Sequence, residues 1–183
     1  MRRAAFLDRD GVLNHSPIEN GKPVAPHGID DLVILPGVKE ACDRLRAAGI
    51  MLIVVSNQPE IARGALTRET VDAISDRLRD ELPLDEIVIC PHDDADNCDC
   101  RKPKPGMLLD AARRHDLDLP RSYLVGDRWR DIEAGQAAGV TSVFVDRGYD
   151  ERQPENPDAI VGDLTEATVW ILDDAKRRGR DRR

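Results

Sequence analysis

Phe6-Leu7-Asp8-Arg9-Asp10-Gly11-Val12 follows directly on Ala4-Ala5, so an apolar run stops at two aspartates one residue apart and then a glycine. In a strand, residues two apart share a face. A chain leaving the strand near Asp8 can turn sharply at Gly11, because glycine tolerates backbone angles that other residues avoid. The two carboxylates then converge on one point. Crowded acids cost free energy unless a cation or a proton sits between them. Residues 4–7 therefore read as a strand that delivers acids, and a cation-assisted acid site is predicted at its end.

Outward from this stretch, apolar runs alternate with amphipathic ones. Residues 14–35 are rich in Pro and Gly and irregular, the mark of a long loop with a function. Pro36-Gly37 opens a helix through Ala48, with Val38, Ala41, Leu45 and Ala48 on one face and Gly49 closing it. Residues 50–55 are an apolar, β-branched run, as in a strand buried on both faces. Thr67 N-caps a helix to about Leu82, with Val71, Ile74 and Leu78 inward. Residues 86–90 form a third strand, and a helix runs from Pro105 to near His115. Then come a strand at 122–126, a helix at 130–138 ended by Gly139, and a strand at 141–145. A short sixth strand at 159–161 and a helix at 165–176 complete the order. The alternation predicts an α/β fold, a Rossmann-like doubly wound parallel sheet. We expect one domain over residues 1–175, with no insert large enough for a cap, and a basic, solvated tail at 176–183.

Composition narrows the function. A length of 183 residues supports one ordinary core, and 3% aromatic residues leave it to Val, Ile, Leu and Ala. The net charge of −8 argues against nonspecific nucleic-acid binding. No run is long enough to span a membrane, and the apolar segment after Met1-Arg2-Arg3 is too short for a signal peptide. The expectation is a cytoplasmic monomer whose partner is a small molecule. In that compartment thiols stay reduced, so clustered cysteines point to metal.

In a parallel sheet, sites form beyond the carboxyl ends of the strands. Those ends carry Asp8 and Asp10, then Ser56-Asn57-Gln58, then Cys90-Pro91-His92, then Gly126-Asp127-Arg128 with Asp131 following. Asp131 also reads simply as a helix-start acid. Asp8 and Asp127 do not, because two strands would each end in an acid at the same edge; oxygen ligands with room for water suit Mg²⁺. Ser56 and Asn57 offer small donors beside the acids. Arg101 and Lys102, held between Cys100 and Pro103, add fixed positive charge. A metal, a lysine and a hydroxyl around one point are what phosphoryl transfer requires. Cys90-x-His92-x5-Cys98-x-Cys100 offers four ligands of the kind Zn²⁺ takes tetrahedrally. The alternative, buried free cysteines, needs a core that Asp93-Asp94-Ala95-Asp96-Asn97 does not provide. A structural zinc would pin the loop that carries Arg101 and Lys102, while Cys42 reads as helix core.

Asp8-x-Asp10-Gly11-Val12, Ser56, Lys102 and Gly126-Asp127-x3-Asp131 together resemble the four-motif set of the haloacid dehalogenase superfamily of phosphatases. Cys-x-His…Cys-x-Cys-Arg-Lys-Pro resembles its zinc-bearing branch, which holds heptose 1,7-bisphosphate and histidinol-phosphate phosphatases. Asn57-Gln58-x-x-Ile61-Ala62-Arg63-Gly64 and Lys104-Pro105-Gly106-Met107-Leu108 look more like the heptose enzymes. The resemblance implies Asp8 as nucleophile and Asp10 as general acid and base. Asp8, Asp10 (through its backbone carbonyl) and Asp127 would bind Mg²⁺, and Cys90, His92, Cys98 and Cys100 would bind Zn²⁺. Ser56 and Lys102 would steady the transferring phosphoryl group, with Asn57, Gln58, Arg101 and Arg128 on a phosphorylated sugar. Pro59-Glu60 and the long 14–35 segment, which lacks an aromatic, depart from the heptose pattern at positions that bear on specificity.

Overall fold

The computed structural model describes residues 1–19 and 22–180. In chain order the elements are β1 (Arg3–Leu7), β2 (Ile18–Glu19), β3 (Lys22–Pro23), α1 (Val38–Ala47), β4 (Ile50–Asn57), α2 (Arg68–Glu81), β5 (Glu86–Cys90), α3 (Gly106–His115), β6 (Tyr123–Gly126), α4 (Trp129–Ala138), β7 (Thr141–Val145), β8 (Ala159–Val161) and α5 (Leu164–Arg180). Six strands form one sheet in the order β5-β4-β1-β6-β7-β8. Every pairing in it is parallel.

Period-two alternation divides the core. Ala5 and Leu7 of β1 face one layer, with residues of α1, α2 and α5. Ala4 and Phe6 face the other, with Met107, Leu108 and Ala111 of α3. All these strand side chains are buried. Helix starts follow local chemistry: the Thr67 hydroxyl accepts from the Thr70 amide at 3.1 Å, holding the first turn of α2.

The structure differs from the sequence reading in three places. β4 extends to Asn57, because Ser56 and Asn57 still pair with Ile89 and Cys90 of β5. The 14–35 segment is not wholly irregular: Ile18 and Glu19 pair antiparallel with Pro23 and Lys22, and a 3-10 turn covers Ile29–Asp31. The basic end is not a frayed tail as far as it is described, since α5 continues to Arg180. Arg178 contacts the Asp174 carboxylate at 2.6 Å, donates to the Pro120 carbonyl at 3.0 Å and to the Thr141 hydroxyl at 2.8 Å. Tyr123, the buried first residue of β6, donates to the same Asp174 at 3.1 Å. The remaining tail positions, 181–183, lie outside the described residues. No described helix is long and apolar enough to cross a membrane.

Candidate active site

β1 and β6 are neighbours, and their register pairs Leu7 with Val125. The Asp8 amide donates to the Val125 carbonyl at 2.9 Å. Asp8 and Asp127 therefore leave adjacent strands at the same edge. Two glycines let the carboxylates close up. Gly11 has φ +84°, and a Cβ there would lie 1.8 Å from Asp127 Oδ2. A Cβ on Gly126 would lie 2.2 Å from that of Asp131. No side chain fits at either position.

Asp8, Asp127 and Asp131 bring oxygens within 4.8 Å of one another, and all three are buried. One ammonium serves them. Lys102 Nζ lies 2.6 Å from Asp8, 2.5 Å from Asp131, and donates to the Val55 carbonyl at 2.7 Å. Burial works against charge on Lys102, but Asp131 and Asp8 outweigh it and hold its pKa above the ordinary value. Burial, with help from Asp131 and against the pull of Lys102, pushes Asp8 up to about 7. Burial, Asp8 and Asp131 push Asp127 well above the usual carboxylate range. Asp127 Oδ1 is buried with no hydrogen-bond partner. Three buried acids, one cation and one orphaned oxygen fit a divalent cation at this point. Asp131, which the sequence offers as a helix cap, does both tasks: it accepts from the Arg128 amide at 3.0 Å and pairs with Lys102.

Asp10 turns its carboxylate away from this cluster, though it still lines the cleft. It accepts from Arg9 at 3.1 and 2.9 Å, from Asn14 at 2.9 Å and from Gln58 at 2.9 Å. Arg9 is fully buried, so this frame is rigid. Gln58, expected on the substrate, is also fully buried; its amide donates to both Asp10 and the Ser56 hydroxyl at 2.9 Å. It sits behind Asp10 and Ser56 instead of lining the cleft. Asn57 lines the cleft, but its side-chain amide is spent on the backbone of Lys102, donating to the carbonyl at 3.0 Å and accepting from the amide at 3.1 Å.

The four residues of the cysteine motif come together. Cys90, Cys98 and Cys100 sulfurs lie 3.1 to 3.7 Å apart, and His92 Nδ1 lies 3.7 Å from Cys90 and 3.4 Å from Cys100. A tetrahedron with bonds of about 2.3 Å has edges of about 3.8 Å, so these four atoms, somewhat closer together than that, could hold Zn²⁺ with a small outward shift. Burial pushes the Cys90 and Cys100 thiols up. Burial also opposes ionisation of Cys98, but hydrogen bonds from Cys100, the Arg101 backbone and Cys90 bring it down to about 7. Cys42 is buried alone in α1, its thiol pushed up to about 12 by burial.

A cleft of about 400 Å³ opens over the acids, lined among others by Asp8, Asp10, Ser56, Lys102 and Asp127. Ser16, Lys22, Pro23, Val24 and Ala25 wall it from the 14–35 segment, and Pro59, Glu60 and Arg63 from the loop after β4. Arg101, Arg128 and Arg130 line it too. Arg101 and Arg130 share Asp94, at 2.8 and 3.2 Å. Sequence reasoning passed over one segment altogether. Between β7 and β8, Arg147 donates to the Gly11 carbonyl at 2.8 Å, the Tyr149 hydroxyl lies against Asp127, and Glu151 pairs with Arg128. Its only signal was one aromatic, Tyr149, in a linker whose charged and turn residues are of ordinary loop composition.

The comparisons agree with this geometry. A HAD-hydrolase-like family model matches residues 99–167. A D-glycero-D-manno-heptose-1,7-bisphosphate 7-phosphatase of Thermosynechococcus vestitus is 38% identical, covering 93% of this chain and 95% of that one. The D-glycero-beta-D-manno-heptose-1,7-bisphosphate 7-phosphatase of Escherichia coli K12 is 37% identical over 92% of this chain and 87% of that one. Among solved structures, the D,D-heptose 1,7-bisphosphate phosphatase of B. bronchiseptica, complexed with magnesium and phosphate, superposes with a TM-score of 0.82 at 34% identity, covering 95% of this chain and 99% of that one. With the acids, the lysine and the sheet edge arranged as they are, the chain belongs to the haloacid dehalogenase-like hydrolases, in the family of the heptose-bisphosphate phosphatases.

Proposed function

We propose that this chain hydrolyses a phosphate monoester of D-glycero-D-manno-heptose 1,7-bisphosphate through an aspartyl-phosphate on Asp8. The observation that carries the reading is the Asp8–Lys102–Asp131 cluster at the floor of a cleft rimmed by Lys22, Arg63, Arg101, Arg128 and Arg130. Apart from the floor acids, these five cations share the lining with Glu60 and Asp94 only. Arg63, Arg101, Arg128 and Arg130 also pair with Asp93, Asp94 or Glu151, yet the lining favours an anionic end on the substrate.

Asp8 attacks phosphorus in line, a P–O bond to its carboxylate forms, and the bond to the sugar oxygen breaks. The leaving oxygen takes a proton from Asp10. Asp10 then takes a proton from water as that water attacks phosphorus, the bond to Asp8 breaks, and inorganic phosphate leaves. Arg9, Asn14 and Gln58 hold Asp10 in place across both steps. Lys102 and Ser56 offset charge on the phosphoryl oxygens. Asp8, Asp127, Asp131 and the Asp10 backbone carbonyl would hold Mg²⁺, which supplies further positive charge against those oxygens. Cys90, His92, Cys98 and Cys100 would hold Zn²⁺ as a closed structural site.

Two measurements test this. Elemental analysis of purified protein should find about one zinc per chain, as a four-ligand site requires; a folded, zinc-free protein removes that assignment. Rates on the two heptose bisphosphate anomers and on histidinol phosphate should favour a heptose substrate by at least about tenfold in kcat/KM, the scale of a lost anion contact. A preference for histidinol phosphate, whose free end is a cationic amine, overturns the substrate choice.

A further inference from the structure

We propose that Glu151 orients Arg128 toward the phosphate of the substrate that does not react, as a positioning residue for that contact. The inference rests on the bisphosphate reading above. Arg128 lines the cleft and Glu151 does not. Arg128 Nε lies 3.0 and 3.1 Å from the two Glu151 oxygens, and Nη2 lies 2.5 Å from one of them. A guanidinium is a rigid planar fork, so gripping its Nε–Nη2 edge sets the direction of the Nη1 end.

The backbone of Arg128 has no freedom of its own. It follows Asp127 directly, caps α4, and its amide is held by Asp131. Only the side-chain torsions remain, and Glu151 fixes them. Glu151 in turn stands on a segment anchored in the site at two other points, Arg147 on the Gly11 carbonyl and Tyr149 against Asp127. Its side chain is 18% exposed against 38% for Arg128. An ordinary surface ion pair gains little, because two mobile chains must be ordered to form it. Here one partner is already docked, and the arginine is ordered before substrate arrives, which lowers the ordering cost of binding.

The test is steady-state kinetics of wild type, Glu151→Gln, Arg128→Ala and the double variant, on heptose 1,7-bisphosphate and on a sugar monophosphate without a second anion. Glu151→Gln should raise KM for the bisphosphate about tenfold, with kcat changed less than about threefold. KM for the monophosphate should rise far less. The double variant should lose no more than Arg128→Ala alone, since both act through one contact. Glu151→Asp, which keeps the charge on a shorter arm, should recover part of the loss. Equal losses on both substrates, fully additive losses, or a lower KM in Glu151→Gln each overturn the assignment; the last would mark Glu151 as a competitor of the phosphate. A wild type that prefers the monophosphate brings down the bisphosphate reading itself, and this inference with it.

Discussion

Asp8→Asn should lose about 10⁴-fold or more in kcat, the scale seen when a nucleophile is removed, while the protein stays folded and melts no lower than wild type. The two outcomes have one cause. Asp8 is buried beside Asp131 and near Asp127, and its carboxyl is held up to about 7. The native state therefore disfavours the charged form that the reaction needs. An amide of the same shape removes that buried charge, and the smaller repulsion from Asp131, along with the nucleophile. Lys102 is not stranded by the change, because Asp131 at 2.5 Å and the Val55 carbonyl at 2.7 Å still hold it. Single-turnover phosphate release and a thermal melt without added metal check both halves. Activity within tenfold of wild type would remove Asp8 as nucleophile. A sharp fall in melting temperature would show that the cost of burying charge on Asp8 does not outweigh its pairing with Lys102.

Lys102→Met should be the opposite kind of variant, losing activity and stability together. Methionine fills much of the same volume but leaves Asp8, Asp127 and Asp131 buried without their ammonium. Stranding buried charge in this way costs about 3–5 kcal/mol, or a fall of about 6–20 °C in a domain of this size. Turnover should drop by about 10²–10³, as when one donor to a developing negative charge is lost. Added Mg²⁺ should return part of the lost melting temperature, since a ligand that binds only the native state stabilises it. Lys102→Arg should not rescue activity, because a planar fork cannot place one donor between two carboxylates and a carbonyl as Nζ does. A melting temperature unchanged in metal-free buffer would refute the stabilising part of this account.

Much of this was legible before any coordinates because strands punctuate themselves. Apolar runs stop where chemistry begins, so Asp8, Ser56, Cys90 and Asp127 all announced their edge of the sheet. The order β5-β4-β1-β6-β7-β8 was not legible, since periodicity says which faces are buried and nothing about which strands touch. Asp131 was ambiguous for a physical reason: the same carboxylate caps α4 and pairs with Lys102, and sequence shows only the first task. Gln58 looked like a cleft residue from its place beside Ser56 and Asn57, yet it is fully buried behind Asp10. Arg178 looked like solvated charge in a basic run, yet Asp174, Thr141 and the Pro120 carbonyl consume its donors. Residues 147–151 carry no periodic signal, and only contacts with Gly11, Asp127 and Arg128 reveal what they do.

Asn57 behaves toward Lys102 as one more rung of the sheet, made by a side chain. Its amide meets both the carbonyl and the amide of Lys102, so that residue is indexed to the end of β4. The sulfur–imidazole cluster ends two residues earlier, at Cys100. Together they divide the excursion from β5 into two zones with different rules. Between Cys100 and Lys102 there is no slack, and a single inserted residue would pull the ammonium off its acids. Between His92 and Cys98 the chain has to present Asp93 to Arg63 and Asp94 to Arg101 and Arg130. Beyond those contacts it only returns to its starting point, and closing a somewhat longer flexible loop costs little. The outer wall of the cleft is thus open to insertion and resculpting, within those contacts, while Lys102 keeps its address.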